Sequence, residues 1–278
     1  MMKQTYLEVL RKAKKDKQAI VAFNVVNKIT ATAAISAAQA HNMPVITQIS
    51  ASVVKKLGIS EALSMLEHAR AHATVPVGIH LDHCVDVDLA KACIKAGFQS
   101  VMFDGSHLSV EDNVARTKEI VDFAKDYDCS IEGEVGVISG IEDGVGSDYG
   151  QLASYQDTID YMKETNVDVI APAIGTAHGI YKGQPNINFE LVQQLAEYSD
   201  VPVCIHGGTG LTEEVYKRLV ALGGAKINIS TALKHAYLNA IIAVANDNQV
   251  KPDPLKIDEL ITEKLKTSLE YYVSLFKG

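Results

Sequence analysis

Tryptophan is missing from this chain, and aromatic residues of any kind make up only 6% of it. A core built around large rings is therefore excluded. Yet 47% of the 278 residues are apolar, which leaves Val, Ile, Leu and Ala to fill the interior, the composition of parallel strands covered on both faces. Positive charge is also short: 26 Lys and Arg stand against 34 Asp and Glu, a formal net charge of −8. That balance argues against nucleic acid as a partner, since phosphate backbones are gripped by clustered cations. A small anion is still within reach, because a few backbone N–H groups and one Lys can hold it. No apolar run has the length that crosses a bilayer, and the start, MMKQTYLEVLRKAKKDK, is too polar for a signal peptide, so no membrane partner is expected. The four cysteines (Cys84, Cys93, Cys129, Cys204) lack CxxC spacing and read as reduced, buried thiols of a cytoplasmic protein.

What is present is a regular alternation. Short apolar runs predict strands over Ala19–Asn24, Val45–Ser50, Val77–Asp82, Ser100–Asp104, Ser130–Val135, Val169–Ala173, Val203–His206 and Lys226–Ile229. Helical periodicity separates them, as in Ala31–His41, Leu89–Ala96, Val114–Asp126, Tyr155–Glu164, Phe189–Tyr198 and Glu213–Leu222. Strand–helix alternation implies parallel strands with right-handed crossovers. Eight such units predict a closed (β/α)₈ barrel, a fold that routinely takes about 250 residues as one domain, here residues 1–278. An open dinucleotide-binding sheet would want GxGxxG after the first strand, and AFNVVNK has no such glycines. Gly136–Gly150 (GVISGIEDGVGSDYG) is too glycine-rich and irregular for an element and reads as a long mobile loop. The last part, 246–278, reads as a loop with Pro252 and Pro254 followed by one or two helices.

Active sites of this fold lie at the C-terminal strand ends. Those ends carry Asn24, Ser50, Asp82 with His83, Asp104, Glu134, His178, His206 and Asn228. His83, His178 and His206 come from three different strand ends and can converge. Three imidazoles with an open fourth position is the catalytic pattern of zinc. Of the other histidines, His41, His68, His72 and His235 fall in helical stretches and read as surface residues, His80 reads as a buried core residue, and His107 stays ambiguous. Asp82 adjoins His83, so it either exchanges a proton with a bound substrate or orients an imidazole. Asp104 and Glu134 read equally as a second metal position or as carboxylates behind the ligands. Glu142 and Asp143 lie in the glycine-rich loop, where acids are usually solvated unless the loop closes.

HGIYKG (178–183), HGGTG (206–210) and NIST (228–231) follow strands six to eight. Glycine-rich loops leading to a helix N-terminus after the last strands are the usual phosphate site of this barrel. Two of them begin with a proposed metal ligand, which puts phosphate and metal within one substrate's length.

Over nearly its whole length the chain resembles the class II fructose-bisphosphate and tagatose-bisphosphate aldolases. AFNVVN, HLDHC, MFDGSH, EGEVGVISGIEDG, GTAHGIYKG, CIHGGTG and KINIST carry the resemblance, in order and in spacing. It implies one catalytic zinc ion per subunit on His83, His178 and His206, with Asp82 as acid/base at the C4 oxygen. Glu134 and Asp104 would match an alternative metal position, and Glu142 a loop acid for proton transfer at C3. Gly179, Lys182, Gly207, Gly208, Thr209, Asn228, Ser230 and Thr231 would surround the C1 phosphate and the dihydroxyacetone unit, with Asn24 and Ser50 on the substrate side. A monovalent cation (Na+ or K+) near the Ala177, Gly179 and Gly207 carbonyls, a phosphorylated sugar as partner, and a homodimer or tetramer are implied as well.

The chain departs from its relatives mildly at Thr209, where Ser is usual, and at Ser230, where some carry Asp or Ala, and more consequentially near the C-terminus. Bisphosphate-using members carry Asp-Pro-Arg near the C-terminus, whose Arg reaches the second phosphate. Here the stretch reads Asp253-Pro254-Leu255, and no Arg follows Arg218. Lysine does not reproduce the bidentate guanidinium–phosphate fork. A singly charged sulfonate needs less cationic help, so 6-deoxy-6-sulfofructose 1-phosphate, cleaved to dihydroxyacetone phosphate and sulfolactaldehyde, stands beside a ketohexose 1,6-bisphosphate as expected substrate. A decayed, non-catalytic sugar-phosphate binder would have lost a ligand or Asp82, and neither is lost. A metal-dependent isomerase or epimerase would need acid/base groups on both faces of the substrate.

Overall fold

The computed structural model describes residues 2–142, 145–147, 149–181 and 183–277, of which 2–5, 142 and 145–147 by their backbone alone. Lys182 and Asp143 lie outside the described residues. The strands run β1 Ile20–Asn24, β2 Val45–Ser50, β3 Val77–Cys84, β4 Ser100–Phe103, β5 Ser130–Val135, β6 Gly140–Glu142, β7 Val145–Ser147, β8 Val169–Pro172, β9 Val203–Ile205 and β10 Gly224–Ile229. The helices run α1 Met2–Lys15, α2 Lys28–Ala40, α3 Ala51–Leu57, α4 Ile59–Arg70, α5 Val87–Ala96, α6 Val110–Ala124, α7 Tyr155–Thr165, α8 Phe189–Tyr198, α9 Glu213–Ala221, α10 Thr231–Ala245 and α11 Pro254–Leu275. Eight strands close a parallel barrel in the order β1-β10-β9-β8-β5-β4-β3-β2. Ile20 pairs with Lys226 where the ring shuts. This is the expected (β/α)₈ barrel.

Local chemistry sets the element boundaries. Asn27, Asp86, Ser109, Ser154, Asn188 and Thr212 each cap the helix that follows, accepting a backbone N–H that the helix itself leaves unpaired. Most of the buried apolar residues lie between barrel and helices, in one aliphatic cluster that includes Ile79, Leu81, Ile131, Val203 and Leu219. A smaller cluster fills the barrel's lower interior, where Tyr6, Leu7 and Leu10 of α1 pack against Ile20, Ile46 and Val169. Gly78 makes room for this: a Cβ there would stand 2.9 Å from the Tyr6 ring.

Two readings are filled in and one, that of the 136–150 segment, needs correction. The N-terminal stretch, read only as too polar for a signal, is a helix whose apolar side plugs the barrel floor. The 136–150 segment is not without elements, since β6 and β7 pair as an antiparallel hairpin. The C-terminal part holds one long helix, α11, within the one or two expected, started by Asp253 as cap and with Pro254 in its first turn. No helix among the described residues is long and apolar enough to cross a membrane.

Candidate active site

Strand alternation turns every second side chain into the barrel. Ser50, Asp82, Glu134, His206 and Asn228 share that parity and sit at the mouth. Their neighbours two residues earlier, Gln48, His80, Glu132, Cys204 and Lys226, form a polar layer directly below, and all ten are buried. His83 breaks the alternation. It is in the left-handed region at φ +46°, and the β3–β4 register shifts between Leu81 and Cys84. Asp82 and His83, consecutive in sequence, therefore both reach the mouth.

The three predicted histidines converge. Each of His83, His178 and His206 offers a ring nitrogen, and these atoms lie within 4.8 Å of one another. His83 Nε2 and His206 Nδ1 are 2.9 Å apart, and the His178 ring meets the His83 ring edge-on at 4.8 Å between centroids. The far nitrogen of His83, Nδ1, lies 2.9 Å from Asp104 Oδ2 and 3.9 Å from Glu134 Oε2. Burial would raise the Asp104 carboxyl, but hydrogen bonds from His83 and Ser106 outweigh it and hold Asp104 far below the usual range. Glu134 goes the other way: burial, then the nearby Asp104 charge, push it well up. His83, Asp104 and Glu134 also form a group of metal-ligand geometry, within the same 4.8 Å limit. Both sequence readings of these carboxylates thus have a geometric basis.

The donor set fits a divalent ion of the zinc type. Burial, then the charges of its neighbours His83 and His206, pushes His178 well below the ordinary imidazole range, and burial also lowers His206, the direction that favours the lone pair a ligand needs, whereas Asp82 and Asp104 outweigh burial at His83 and hold it well up. Glu134 Oε2 is buried beside this group without a hydrogen-bond partner, 3.9 Å from His83 Nδ1.

Asp82 accepts from Asn24 Nδ2 (2.6 Å) and from Asn228 Nδ2 (3.3 Å), and Asn24 in turn accepts from Gln48 Nε2 (2.7 Å). Burial alone would raise its carboxyl. Positive charge on His83, His206 and Lys226 outweighs that and holds it below the usual range. The group is an anion aimed into the mouth, as a proton acceptor must be.

Opposite lies the glycine-rich rim. Gly179 (φ +94°) has open space where a Cβ would be, and Gly207 (φ +66°) packs against the Ala177 backbone. Tyr181 Oη donates to the Gly207 carbonyl (2.7 Å) and accepts from Ala177 N–H (3.0 Å), so it ties the two rims together. The Gly208 N–H is already committed to the Asn228 carbonyl (3.1 Å). Thr209 Oγ1 accepts from Ala232 N–H at the start of α10 (3.2 Å). Ser230 precedes that helix without capping it, and its Oγ is buried without a partner. Thr231 opens α10, and Ser50 lies 3.2 Å from Ser52 across their hydroxyls. Of Glu142, only its backbone, on β6, is described. The hairpin it belongs to is anchored to the site: His178 N–H donates to the Ser139 carbonyl at 2.8 Å.

His68, His72, His107 and His235 are exposed and His41 is partly so, away from this cluster. His80 is buried against Ser100 Oγ (2.9 Å), as expected of a core residue. Sequence reasoning gave no role to Glu132 or Lys226, although both stand inside the quoted motifs. Glu132 Oε1 is 2.9 Å from His206 Nε2, and Lys226 Nζ is 3.0 Å from Glu132 Oε2. The signal was available: each is two residues before a mouth residue and so shares its face.

A parallel barrel whose mouth gathers three histidines, flanking carboxylates and a glycine-rich rim defines a metal-dependent enzyme of the (β/α)₈ class. Comparison with known proteins narrows it. The family model described as fructose-bisphosphate aldolase class-II matches residues 4–278. A relative from Halalkalibacterium halodurans, named 6-phospho-5-dehydro-2-deoxy-D-gluconate aldolase, is 36% identical over 274 residues, covering 95% of this chain and 94% of its own. One from Alkalicoccus urumqiensis, named sulfofructosephosphate aldolase, is 35% identical over 242 residues, 86% of this chain and 84% of its own. The crystal structure of the YdjI aldolase from Escherichia coli K12 superimposes with a TM-score of 0.85 at 28% identity, covering 98% of this chain and 96% of that one. The chain belongs to the class II fructose-bisphosphate aldolase family and is a lyase.

Proposed function

We propose that this protein is a zinc-dependent aldolase that cleaves a sugar phosphate to dihydroxyacetone phosphate and an aldehyde whose far end carries a single negative charge. The observation that carries the reaction is the convergence of His83, His178 and His206 beside an anionic Asp82. Asp82 takes the proton of the hydroxyl on the carbon that becomes the aldehyde. The O–H electron pair closes the new C=O bond, and the broken carbon–carbon pair moves toward the ketone. A zinc ion on the three histidines supplies Lewis-acid stabilisation of the negative charge that develops on the ketone oxygen. Asn24 and Asn228 hold the Asp82 carboxylate in place, and the rim of Gly179, Gly207, Thr209, Ser230 and Thr231, with Lys182, binds the phosphate. That remote binding supplies positioning energy for the bond that breaks. Glu142 returns a proton to the dihydroxyacetone carbon. The Ala177, Gly179 and Gly207 carbonyls are the seat for a monovalent cation.

The far end of the substrate is read from Asp253-Pro254-Leu255. Asp253 and Pro254 survive as the start of α11, while Leu255 stands 77% exposed at the place where bisphosphate-using relatives carry Arg. A sulfonate, as in 6-deoxy-6-sulfofructose 1-phosphate, has one charge where a phosphate has nearly two. The compound in the Halalkalibacterium halodurans relative's name ends in a carboxylate, also singly charged, and retro-aldol cleavage would release the same dihydroxyacetone phosphate. A cytoplasmic location, supported by four buried cysteines that form no disulfide among the described residues, and a homodimer or tetramer, supported by the exposed Leu238 and Ile242 of α10, complete the reading.

The test is a substrate panel on zinc-loaded protein: fructose 1,6-bisphosphate, 6-deoxy-6-sulfofructose 1-phosphate and 6-phospho-5-dehydro-2-deoxygluconate. One of the latter two should be cleaved with the higher kcat/KM; strong preference for the bisphosphate sinks the single-charge reading. Asp82→Ala should lower kcat by roughly 10²–10⁴-fold with zinc content retained. Full activity in that variant would overturn the assigned base.

A further inference from the structure

Inside the barrel is a charged pair for which the aldol chemistry has no direct use. Glu132 and Lys226 stand on β5 and β10, which are not neighbours, and both side chains are inaccessible to solvent (0%). Lys226 Nζ is 3.0 Å from Glu132 Oε2 and 3.3 Å from Oε1. A buried pair of this kind is a poor source of stability, because desolvating two charges offsets most of their attraction. Geometry supplies another reason for it. Glu132 Oε1 lies 2.9 Å from His206 Nε2, while the other ring nitrogen, Nδ1, faces His83 Nε2 at 2.9 Å.

We infer that Glu132, with Lys226 as its fixed counter-ion, is a positioning residue for the metal centre: it accepts the His206 Nε2 hydrogen and so turns the Nδ1 lone pair toward the ion. The inference rests on the reading of His206 as a metal ligand. An imidazole can carry its hydrogen on either nitrogen, and the partner of the far nitrogen decides which. His83 meets the same need from its other side, through Asp104. His206 is turned the opposite way round, and its orienting carboxylate comes from below, out of the barrel interior. Lys226 has a second effect. Glu132, Cys204 and His206 are themselves spaced like metal ligands. The Lys226 ammonium, 3.4 Å from Cys204 Sγ as well as against Glu132, already occupies that inner seat. The ion is thereby confined to the mouth, where substrate can reach it.

Two measurements test this. The first needs no alteration of the barrel interior: the zinc-loaded protein, labelled with nitrogen-15 at histidine only, is examined by NMR, with His206 assigned by its absence from a His206→Gln sample. Hydrogen on Nε2 and metal on Nδ1 is the expected result; hydrogen on Nδ1 overturns the inference. The second uses Glu132→Leu/Lys226→Met, which removes the acceptor and both charges together so that neither charge is left buried alone. Its zinc Kd, read by competition with a chromogenic chelator, should rise roughly 10–100-fold, with a cooperative melt showing that the barrel is intact. Unchanged zinc affinity in that folded variant overturns the positioning role while leaving the aldolase reading standing. If the unaltered protein binds no zinc, both fall. If the double variant does not fold, the tautomer measured in the unaltered protein decides.

Discussion

Asp82 and His83 reach the barrel mouth together only because His83 accepts a left-handed backbone at φ +46°. Such a conformation costs a non-glycine residue about 1–2 kcal/mol, and histidine is among the side chains that tolerate it better. The sequence makes both residues legible as candidates, since HLDHC ends a strand, but not the backbone twist that lets neighbours share a face. The same limit hides the layer below. His80 reads correctly as a core residue because a polar side chain inside an apolar strand has few other places to go. What it shares that interior with, Glu132 from β5 and Lys226 from β10, depends on strand order, which no local pattern reveals. The structure gives His80 a measurable consequence. Burial, reinforced by the Lys226 ammonium, pushes its ring down to about 3, against about 6.5 in an unfolded chain. Its folded value is depressed, so the unfolded state binds the extra proton between those limits. The stability it permits is complete above about pH 6.5 and is lost as the pH falls toward 3, by about 1.4 kcal/mol per pH unit. Urea unfolding of His80→Gln between about pH 6.5 and 4.5 should therefore show a shallower loss of stability than the unaltered protein shows. Equal slopes would mean that His80 is not the group that titrates.

At the scale of elements, the eight barrel strands were readable nearly to the residue. Each is a short apolar run bounded by turn signals, and a parallel barrel strand is buried on both sides. Helix α1 was not readable as part of the fold, because a polar amphipathic segment looks the same whether it plugs a barrel or lies on a surface. The β6–β7 hairpin was hidden for a different reason. Its glycines weaken any strand pattern, and its anchoring is tertiary: His178 N–H donates to the Ser139 carbonyl, and Gly140 at φ +91° packs against the His178 backbone. The hairpin that carries Glu142 and the loop that carries a candidate metal ligand are thus one mechanical unit. Gly140→Ala places a Cβ against the His178 carbonyl in a backbone region that favours glycine. Zinc affinity and kcat should fall together in this variant, each by roughly tenfold or more, while far-ultraviolet circular dichroism stays unchanged. Loss of kcat with undiminished zinc affinity would show that the hairpin acts on the substrate without acting on His178.

For the whole molecule, the buried Lys226 poses a choice between two chemistries. A lysine inside a barrel, near a sugar-phosphate site, is the equipment of a Schiff-base aldolase, which needs a neutral amine. Burial alone would favour that neutral form. Here the Cys204 sulfur and the Glu132 carboxylate outweigh burial and hold Lys226 above its ordinary range, so it stays an ammonium. It also lies in the layer below His206, bonded sideways to Glu132 and Cys204. The two chemistries respond oppositely to simple reagents. Borohydride added with substrate should leave activity intact, because no imine forms to be reduced, and mass spectrometry should find no adduct on Lys226. Chelation by EDTA should abolish activity, and added zinc should restore it. Metal binding should also register in the stability of the entire barrel, because the ion joins loops from β3, β8 and β9 that approach one another only in the folded state. At a thousandfold excess of zinc over its Kd the expected stabilisation is about 4 kcal/mol, which for a chain of this size raises the melting temperature by roughly 10 °C. An imine adduct on Lys226, or full activity after exhaustive chelation, would move the protein's chemistry from its metal ligands to its buried lysine.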